Sequence, residues 1–257
     1  MRLLCLGSSS YGNATVLELG GLRILVEAGF SARSLAERLT AAGIDPARID
    51  AILLSHEHHD HAQGAERFSM RHRVPVWSAP ETLEALDRSP AHFAKWHPFF
   101  PGEAFDLGGV RVDPFSIPHD ARSPVGFVLE GEGLRVGVAT DLGHATTLVV
   151  ERLRGCDVLM VESNYDDRML AEGPYPWHLK QRVSGRLGHL SNGETAALLE
   201  RVGSEKTRAV VLAHLSEKNN TPGLARSSAA AALERAGCRR VEMRVVPTRQ
   251  PAPAVVL

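Results

Sequence analysis

Four potential metal ligands fall within six residues of the stretch Ser55-His56-Glu57-His58-His59-Asp60-His61: His56, His58, Asp60 and His61, in the spacing His-x-His-x-Asp-His. Nitrogen and oxygen donors of this kind suit borderline divalent cations such as zinc, manganese or iron. The run Ala51-Ile52-Leu53-Leu54 before it reads as a buried strand. A strand there would fix one end of the loop while the ligands fan out around a metal. The stretch is interior, interrupted by acids and attached to a strand, which excludes an affinity tag.

Four residues cannot complete a site for two metals, so further ligands are expected at other strand ends. Three residues qualify. His119 follows Phe115-Ser116-Ile117-Pro118, Asp141 follows Val136-Gly137-Val138-Ala139-Thr140, and His214 follows the apolar run from Ala209 to Ala213. Any one of them alone would pass as an ordinary strand-end residue. Beside the four-ligand loop they read jointly as a dinuclear set. Lys180, Arg182 and Arg186 form a basic cluster next to Tyr175 and Trp177, with no acid between 177 and 190. Such a cluster offers phosphate contacts with base stacking, or equally a solvated charged face. Ser9, Ser10 and Asn13 could donate hydroxyl, amide and backbone hydrogen bonds to a phosphate, although a tight Ser/Gly turn explains them as well. His59 is expected to point away from the metals.

These residues must be delivered by strands. Residues 2 to 6 form a first apolar run, and Ala14 to Leu19 with Leu22 to Val26 read as a hairpin joined by Gly20-Gly21. Ser31 caps a predicted helix through Ala42. The strand at 51–54 and the metal loop follow, then a predicted helix from His61 to Phe68, a strand from Val74 to Trp77 and a helix from Pro80 to Arg88. Residues 89–109 are rich in Pro, His and aromatics and read as an irregular connection. Strands are predicted at Val110 to Ile117, Val125 to Glu130, Leu134 to Ala139 and Asp157 to Val161, with a helix over Thr146 to Leu153. Residues 165–190 have no clear period. Ser191-Asn192-Gly193-Glu194 is a capping box opening a helix to Val202. A strand at 209–213, a helix from Leu224 to Ala236 and a strand from Val241 to Val246 close the chain. Strand pairs come first and strand–helix alternation later, in two successive halves. This pattern predicts an α/β fold, a four-layer α/β/β/α sandwich forming one domain over residues 1–257.

The chain has 257 residues, 44% hydrophobic and 23% charged, which is ordinary for a globular protein able to bury a substantial core. Its net charge of −1 gives no global attraction to polyanions, so nucleic-acid binding would come from a local patch or from metal. No run is long enough to span a bilayer, and the N-terminal apolar run is too short for a signal peptide. Cys5, Cys156 and Cys238 are odd in number and lie in apolar surroundings, as expected of reduced thiols in a cytoplasmic protein.

The set His56/His58/Asp60/His61, His119, Asp141 and His214 resembles the ligand set of the metallo-β-lactamase superfamily, from Gly7 to about His214. The resemblance implies a sandwich of that type. It also implies that His56, His58 and His119 hold one metal, that Asp60, His61 and His214 hold the other, and that Asp141 bridges them. A bridging Asp together with His61 points to the phosphodiesterase and glyoxalase II branches, since the lactamases usually carry Cys where Asp141 stands. Glu27 departs from the Asp common at that strand end, which bears on support of the metal loop.

The chain is also similar to the YycJ/WalJ-type nucleases. The matching stretches are Gly7-Ser8-Ser9-Ser10-Tyr11-Gly12-Asn13, Glu162-Ser163-Asn164-Tyr165-Asp166, Leu179-Lys180, Gly188-His189-Leu190-Ser191-Asn192 and His214-Leu215-Ser216-Glu217-Lys218-Asn219-Asn220. That likeness implies a metal-dependent exonuclease acting on DNA, with two divalent cations, zinc or manganese and alternatively iron. A bridging hydroxide would attack phosphorus between metals roughly 3.5–4 Å apart. His189 is the implied proton donor to the leaving oxygen, and Glu162 would orient it. Asp60 counts both as ligand and as catalytic residue. Lys180, Arg182, Ser10 and Asn13 are the expected substrate contacts. A glyoxalase II-like thioesterase or a small-molecule phosphodiesterase is the alternative activity. A homodimer is compatible with the sequence, which does not specify an oligomeric state.

Overall fold

Short apolar strands joined by tight turns build the first sheet. The computed structural model describes residues 1–238, 240–248 and 251–257. In it β1 (Arg2–Gly7), β2 (Ala14–Leu19) and β3 (Leu22–Val26) form an antiparallel meander. The hairpin between β2 and β3 turns at Gly20 and Gly21, whose φ values of 59° and 78° favour glycine. α1 (Ala32–Ala41), N-capped by Ser31, crosses to β4 (Ala51–Leu53). Next come α2 (His59–Ala62) and α3 (Ala65–His72), then β5 (Val76–Ser78), α4 (Pro80–Ala85) and β6 (Trp96–Pro98). Strands β3 to β6 are mutually parallel.

The second sheet repeats this plan. β7 (Phe105–Leu107), β8 (Val110–Ser116), β9 (Val125–Gly131) and β10 (Leu134–Ala139) are antiparallel neighbours. After α5 (Thr147–Leu153) comes β11 (Val158–Glu162), and then an excursion carrying α6 (Asp167–Glu172) and α7 (Trp177–Val183). α8 (Asn192–Val202), β12 (Ala209–Ala213), α9 (Pro222–Arg235) and β13 (Glu242–Val245) follow, with β10 to β13 parallel. The last strand, β14 (Val255–Val256), returns to pair with β1. The sheet orders are β14-β1-β2-β3-β4-β5-β6 and β13-β12-β11-β10-β9-β8-β7.

Side-chain alternation sorts the strands into layers. In β2 and β11, Leu17, Val158 and Met160 face the core between the sheets, where they meet Ile24, Leu53, Phe127 and Val211. The intervening Val16 packs under α1 and α3 with Leu35, Leu39 and Phe68. Leu159 and Val161 pack under α5, α8 and α9 with Leu153, Leu199 and Leu233. The four layers expected from the sequence are therefore present. Cys5, Cys156 and Cys238 are buried and unpaired. Among the described residues no helix is long and apolar enough to cross a membrane.

Three local expectations are corrected. The helix expected over His61 to Phe68 is two helices, broken at Gln63-Gly64. Gly64 lies so close to the backbone of Phe30 that a Cβ there would sit 2.1 Å from the Phe30 carbonyl oxygen, a tertiary approach that overrides the helical pattern. Residues 89–109, read as irregular, contain the three-residue strands β6 and β7. Residues 165–190 contain α6 and α7.

Candidate metal centre

The parallel strands bring their carboxyl ends to one edge of the sandwich, where α/β folds characteristically bind ligands. The loop after β4 carries His56, His58, Asp60 and His61, and the loop after β8 carries His119. Asp141, Glu162 and His214 stand at the ends of β10, β11 and β12. Glu27, Asp141 and His214 have left-handed backbones, with φ of 67°, 57° and 54°. Such conformations cost non-glycine residues on the order of 1–2 kcal/mol each and gather at functional sites. Here each one ends a strand and breaks its alternation.

All seven expected ligands converge. One donor atom from each of His56, His58 and His119 lies within 4.8 Å of the other two, and the same holds for Asp60, His61 and His214. Asp141 lies between the triads. Its Oδ2 is 3.0 Å from His61 Nε2, and its Oδ1 is 3.4 Å from His214 Nε2 and 3.9 Å from His119 Nε2. The donors have the spacing a metal needs. Tetrahedral coordination with metal–nitrogen bonds of about 2.0–2.1 Å sets donors about 3.3–3.4 Å apart. His58 Nδ1 and His119 Nε2 are 3.2 Å apart, and His61 Nε2 and Asp60 Oδ2 are 3.4 Å apart. His56 Nε2 is buried without a hydrogen-bond partner, a costly arrangement that a cation at the centre would relieve.

The protonation of His56, His119 and Asp141 suits the same task. Burial holds the His56 imidazole well below its usual range and lowers that of His119, which keeps their lone pairs free. Against the opposing effect of burial, His214 and His61 hold the Asp141 carboxyl well below the usual carboxylate range. His61 moves the other way. Burial disfavours its charge, but Asp141 and Glu27 together raise it well above an ordinary histidine.

Outer groups fix the expected ligands. His119 Nδ1 donates to the Gly188 carbonyl at 3.2 Å, His56 Nδ1 lies 2.8 Å from Ser55 Oγ, and Glu27 stands 3.5 Å from His61 Nδ1 while accepting from the Ser55 backbone N–H. The longer Glu27 thus still supports the metal loop from behind. Asn164 Nδ2 donates to the His214 carbonyl at 2.8 Å. The amides of Asn192 and Asn220 pair with each other at 2.9 Å in both directions and bind the loop after His214 to α8. Asn13, expected to touch substrate, is instead buried. Its Nδ2 donates to Asp60 Oδ2 at 3.1 Å, and its Oδ1 faces His214 Nδ1 at 3.2 Å and accepts from Ser8 Oγ. Its Nδ2 also lies 3.0 Å from His61 Nε2, so it touches three of the expected ligands, and it does not line the cleft.

His189 enters the same cleft. Its Nδ1 donates to Glu162 Oε2 at 3.0 Å and lies 3.6 Å from Asp141 Oδ1. Burial alone would depress it, but Glu162 and Asp141 push it up to about 9. Glu162 is fully buried, and its Oε1 accepts from the backbone N–H groups of Leu142 and Leu190 at 2.7 and 2.9 Å. One carboxylate therefore fixes the loops bearing Asp141 and His189.

The cleft has a volume of about 320 Å³ and is also lined by Ser10, Asp120, Asn164, Tyr175, Leu179, Arg182 and Val183. Arg182 reaches it, donating from Nε to Asp120 Oδ2 at 2.8 Å. Lys180 does not. Its Nζ donates to the Ala171 carbonyl at 2.6 Å, and it is absent from the lining. Arg186 joins His144 outside the cleft, and Trp177 is 72% exposed beyond it. His59 is exposed, as expected. Asp120 was not anticipated. Its Oδ1 lies 3.4 Å from His119 Nε2, and its position directly after a ligand histidine was its only sequence signal. A larger cavity of about 760 Å³ opens beside the β2–β3 turn at the opposite edge, where Arg2, Arg23 and Arg48 mix with Glu18 and Asp50. Among the described residues it gathers no group of metal-ligating side chains.

A family profile described as a beta-lactamase superfamily domain matches residues 22–215. The exodeoxyribonuclease WalJ of Streptococcus pneumoniae is 30% identical over 224 residues, 86% of this chain and 83% of its own. The exodeoxyribonuclease YycJ of Bacillus anthracis is 29% identical over 234 residues, covering 90% and 89%. Among solved structures, the metallo-beta-lactamase fold protein YhfI from Bacillus subtilis superposes with a TM-score of 0.77 and 14% identity over 99% and 98% of the two chains, a likeness of fold.

Proposed function

The chain belongs to the metallo-β-lactamase superfamily, whose members these relatives and folds are, and from that premise we propose that it is a two-metal phosphodiesterase degrading DNA from strand ends. The observation that carries the reading is the convergence of seven donors on one cleft, with Asp141 between two triads. His56, His58 and His119 would hold one divalent cation, Asp60, His61 and His214 the other, and Asp141 would contact both. The all-nitrogen-and-oxygen set suits zinc or manganese, and iron also. When bound, the pair supplies Lewis acidity, generating a nucleophile from water at neutral pH and offsetting charge on the phosphate oxygens.

The chain's own residues do the rest. Asp60, held by Asn13, lines the cleft and would orient the attacking water. Glu162 fixes His189 through Nδ1, which leaves Nε2 to give a proton to the leaving oxygen. Arg182 and Ser10, both in the cleft lining, would contact the phosphate. Lys180 and Asn13 have no such role in this reading. Both chain ends join the first sheet, which supports treating residues 1–257 as one catalytic domain.

The choice of DNA draws on the two exodeoxyribonucleases, each covered over more than four fifths of its length. The test offers metal-loaded protein 5′-phosphorylated single- and double-stranded DNA, RNA, a thioester and a chromogenic phosphodiester. Degradation of DNA that disappears in His58→Ala and His189→Ala is expected. Thioester turnover without nucleic-acid cleavage would overturn the reading.

A further inference from the structure

The cleft is not uniformly polar. Leu179 and Val183 lie one turn apart on α7, Tyr175 sits just ahead of that helix, and all three line the same cleft as the histidine and aspartate cluster. Leu179 and Val183 are half-buried rather than sealed in the core, so part of this apolar face stays open toward the cleft. Arg182 stands between Leu179 and Val183 in sequence, with its side chain 63% exposed and its Nε on Asp120, 3.4 Å from the His119 donor. Charged groups that would receive a phosphate and an apolar wall therefore border one small space. Its volume of about 320 Å³ lies near the lower end of the roughly 300–1,000 Å³ that small-ligand sites span. That is the scale of one nucleotide-sized group.

Resting on the phosphodiesterase reading, we infer that the cleft holds a single terminal nucleotide, with its base against Tyr175, Leu179 and Val183 and its phosphate toward Arg182 and the donor cluster. A base suits this wall because it is planar and apolar on its faces, and contact with Tyr175 adds stacking. The register fixes the product. Hydrolysis breaks the P–O bond to the leaving oxygen, forms a P–O bond to the water oxygen and leaves one water proton on the leaving group. With one nucleotide in the cleft, each turn releases a mononucleotide.

The experiment compares end-labelled single strands that carry a normal or an abasic terminal nucleotide, at the 5′ end and at the 3′ end in separate substrates, with metal-loaded wild-type protein. Mononucleotides should be the first products. At the end that is attacked, loss of the base should raise KM by about 5- to 150-fold, the range over which base stacking contributes. In Leu179→Ala and Val183→Ala the ratio of KM between abasic and normal ends should fall toward 1. The wild-type comparison needs no variant, so a misfolded variant does not blunt it. Release of dinucleotides or longer pieces as first products, or equal KM for normal and abasic ends while DNA is degraded, would overturn the inference and leave the nuclease reading intact. Absence of any nucleic-acid cleavage would overturn both.

Discussion

Replacing Glu162 by Gln isolates one charge in the centre of the site. The Glu162 carboxylate accepts three hydrogen bonds: from Leu142 N at 2.7 Å, from Leu190 N at 2.9 Å and from His189 Nδ1 at 3.0 Å. The glutamine carbonyl can keep the first two, so the loops bearing Asp141 and His189 stay in place. The third is lost as a charge-assisted bond, because the amide N–H₂ then faces His189 and the imidazole must accept at Nδ1. Bonds to charged groups contribute a net of about 1.5–3 kcal/mol. At about 2–4 °C per kcal/mol for a chain of this size, Tm should fall by about 3–12 °C. Without the carboxylate, His189 loses the partner that keeps it protonated, and general acid–base help of this kind is typically worth about 10²–10⁴ in rate. The expected result is therefore a kcat at least about 10²-fold lower at unchanged metal content. The double variant Glu162→Gln/His189→Ala should be no worse than His189→Ala alone, because the two residues act as a unit. Steady-state kinetics on a chromogenic phosphodiester, with metal content measured by elemental analysis, reads all of this. A kcat within twofold of wild type, or additive losses in the double variant, would refute the reasoning.

Other perturbations probe the supports of the site. Asn13→Ala frees Asp60, His61 and His214 together and should weaken one of two metal equivalents by about 10–100-fold in calorimetric titration, leaving the other near its wild-type affinity. Two unchanged affinities would show that Asn13 does not hold these ligands. Gly29→Ala places a Cβ 1.6 Å from the Asp60 carbonyl oxygen, so a loss of about 3 kcal/mol or more is expected in denaturant unfolding. Wild-type stability in that variant would contradict the packing of the metal loop. In metal-free protein, His189 sits at about 9 against an ordinary 6.5, with Glu162 and Asp141 as its facing acids. A raised folded value stabilises fully below pH 6.5, and the contribution, ~3 kcal/mol here, is lost as pH rises through 9. Melting in chelator should thus show stability falling between those limits in wild type and less so in His189→Gln. Parallel curves would count against the ion pair.

The legible part of the site was the part carried by strands. Asp141 and His214 follow apolar runs that end in the same direction along the parallel strands β10 to β12, and β8, two antiparallel steps from β10, delivers His119 to the same edge. The capping box at Ser191 and Glu194 formed as its local chemistry requires. Groups whose partners are set only by tertiary approach were less legible. Asn13 looks like a phosphate donor in its Ser/Gly loop until the loop is seen to close over Asp60, 47 residues away. Lys180 and Arg182 share a basic cluster in sequence, but two residues on a helix face different ways, and only Arg182 reaches the cleft. β6, β7 and α7 escaped notice for a common reason. They are three to seven residues long, and α7 shows a single i, i+4 apolar pair, Leu179 and Val183, too short a pattern to mark a helix.

Metal titration of stripped protein against end-labelled DNA tests the central claim most directly. Zinc or manganese is added in steps of a fraction of an equivalent while cleavage and bound metal are measured on the same samples. Two triads sharing Asp141 predict two ions bound per chain, with DNA cleavage rising as the second equivalent fills, and no cleavage in excess chelator. Full cleavage at one equivalent or in the presence of chelator, or two bound ions with no phosphodiester hydrolysis, would contradict the account.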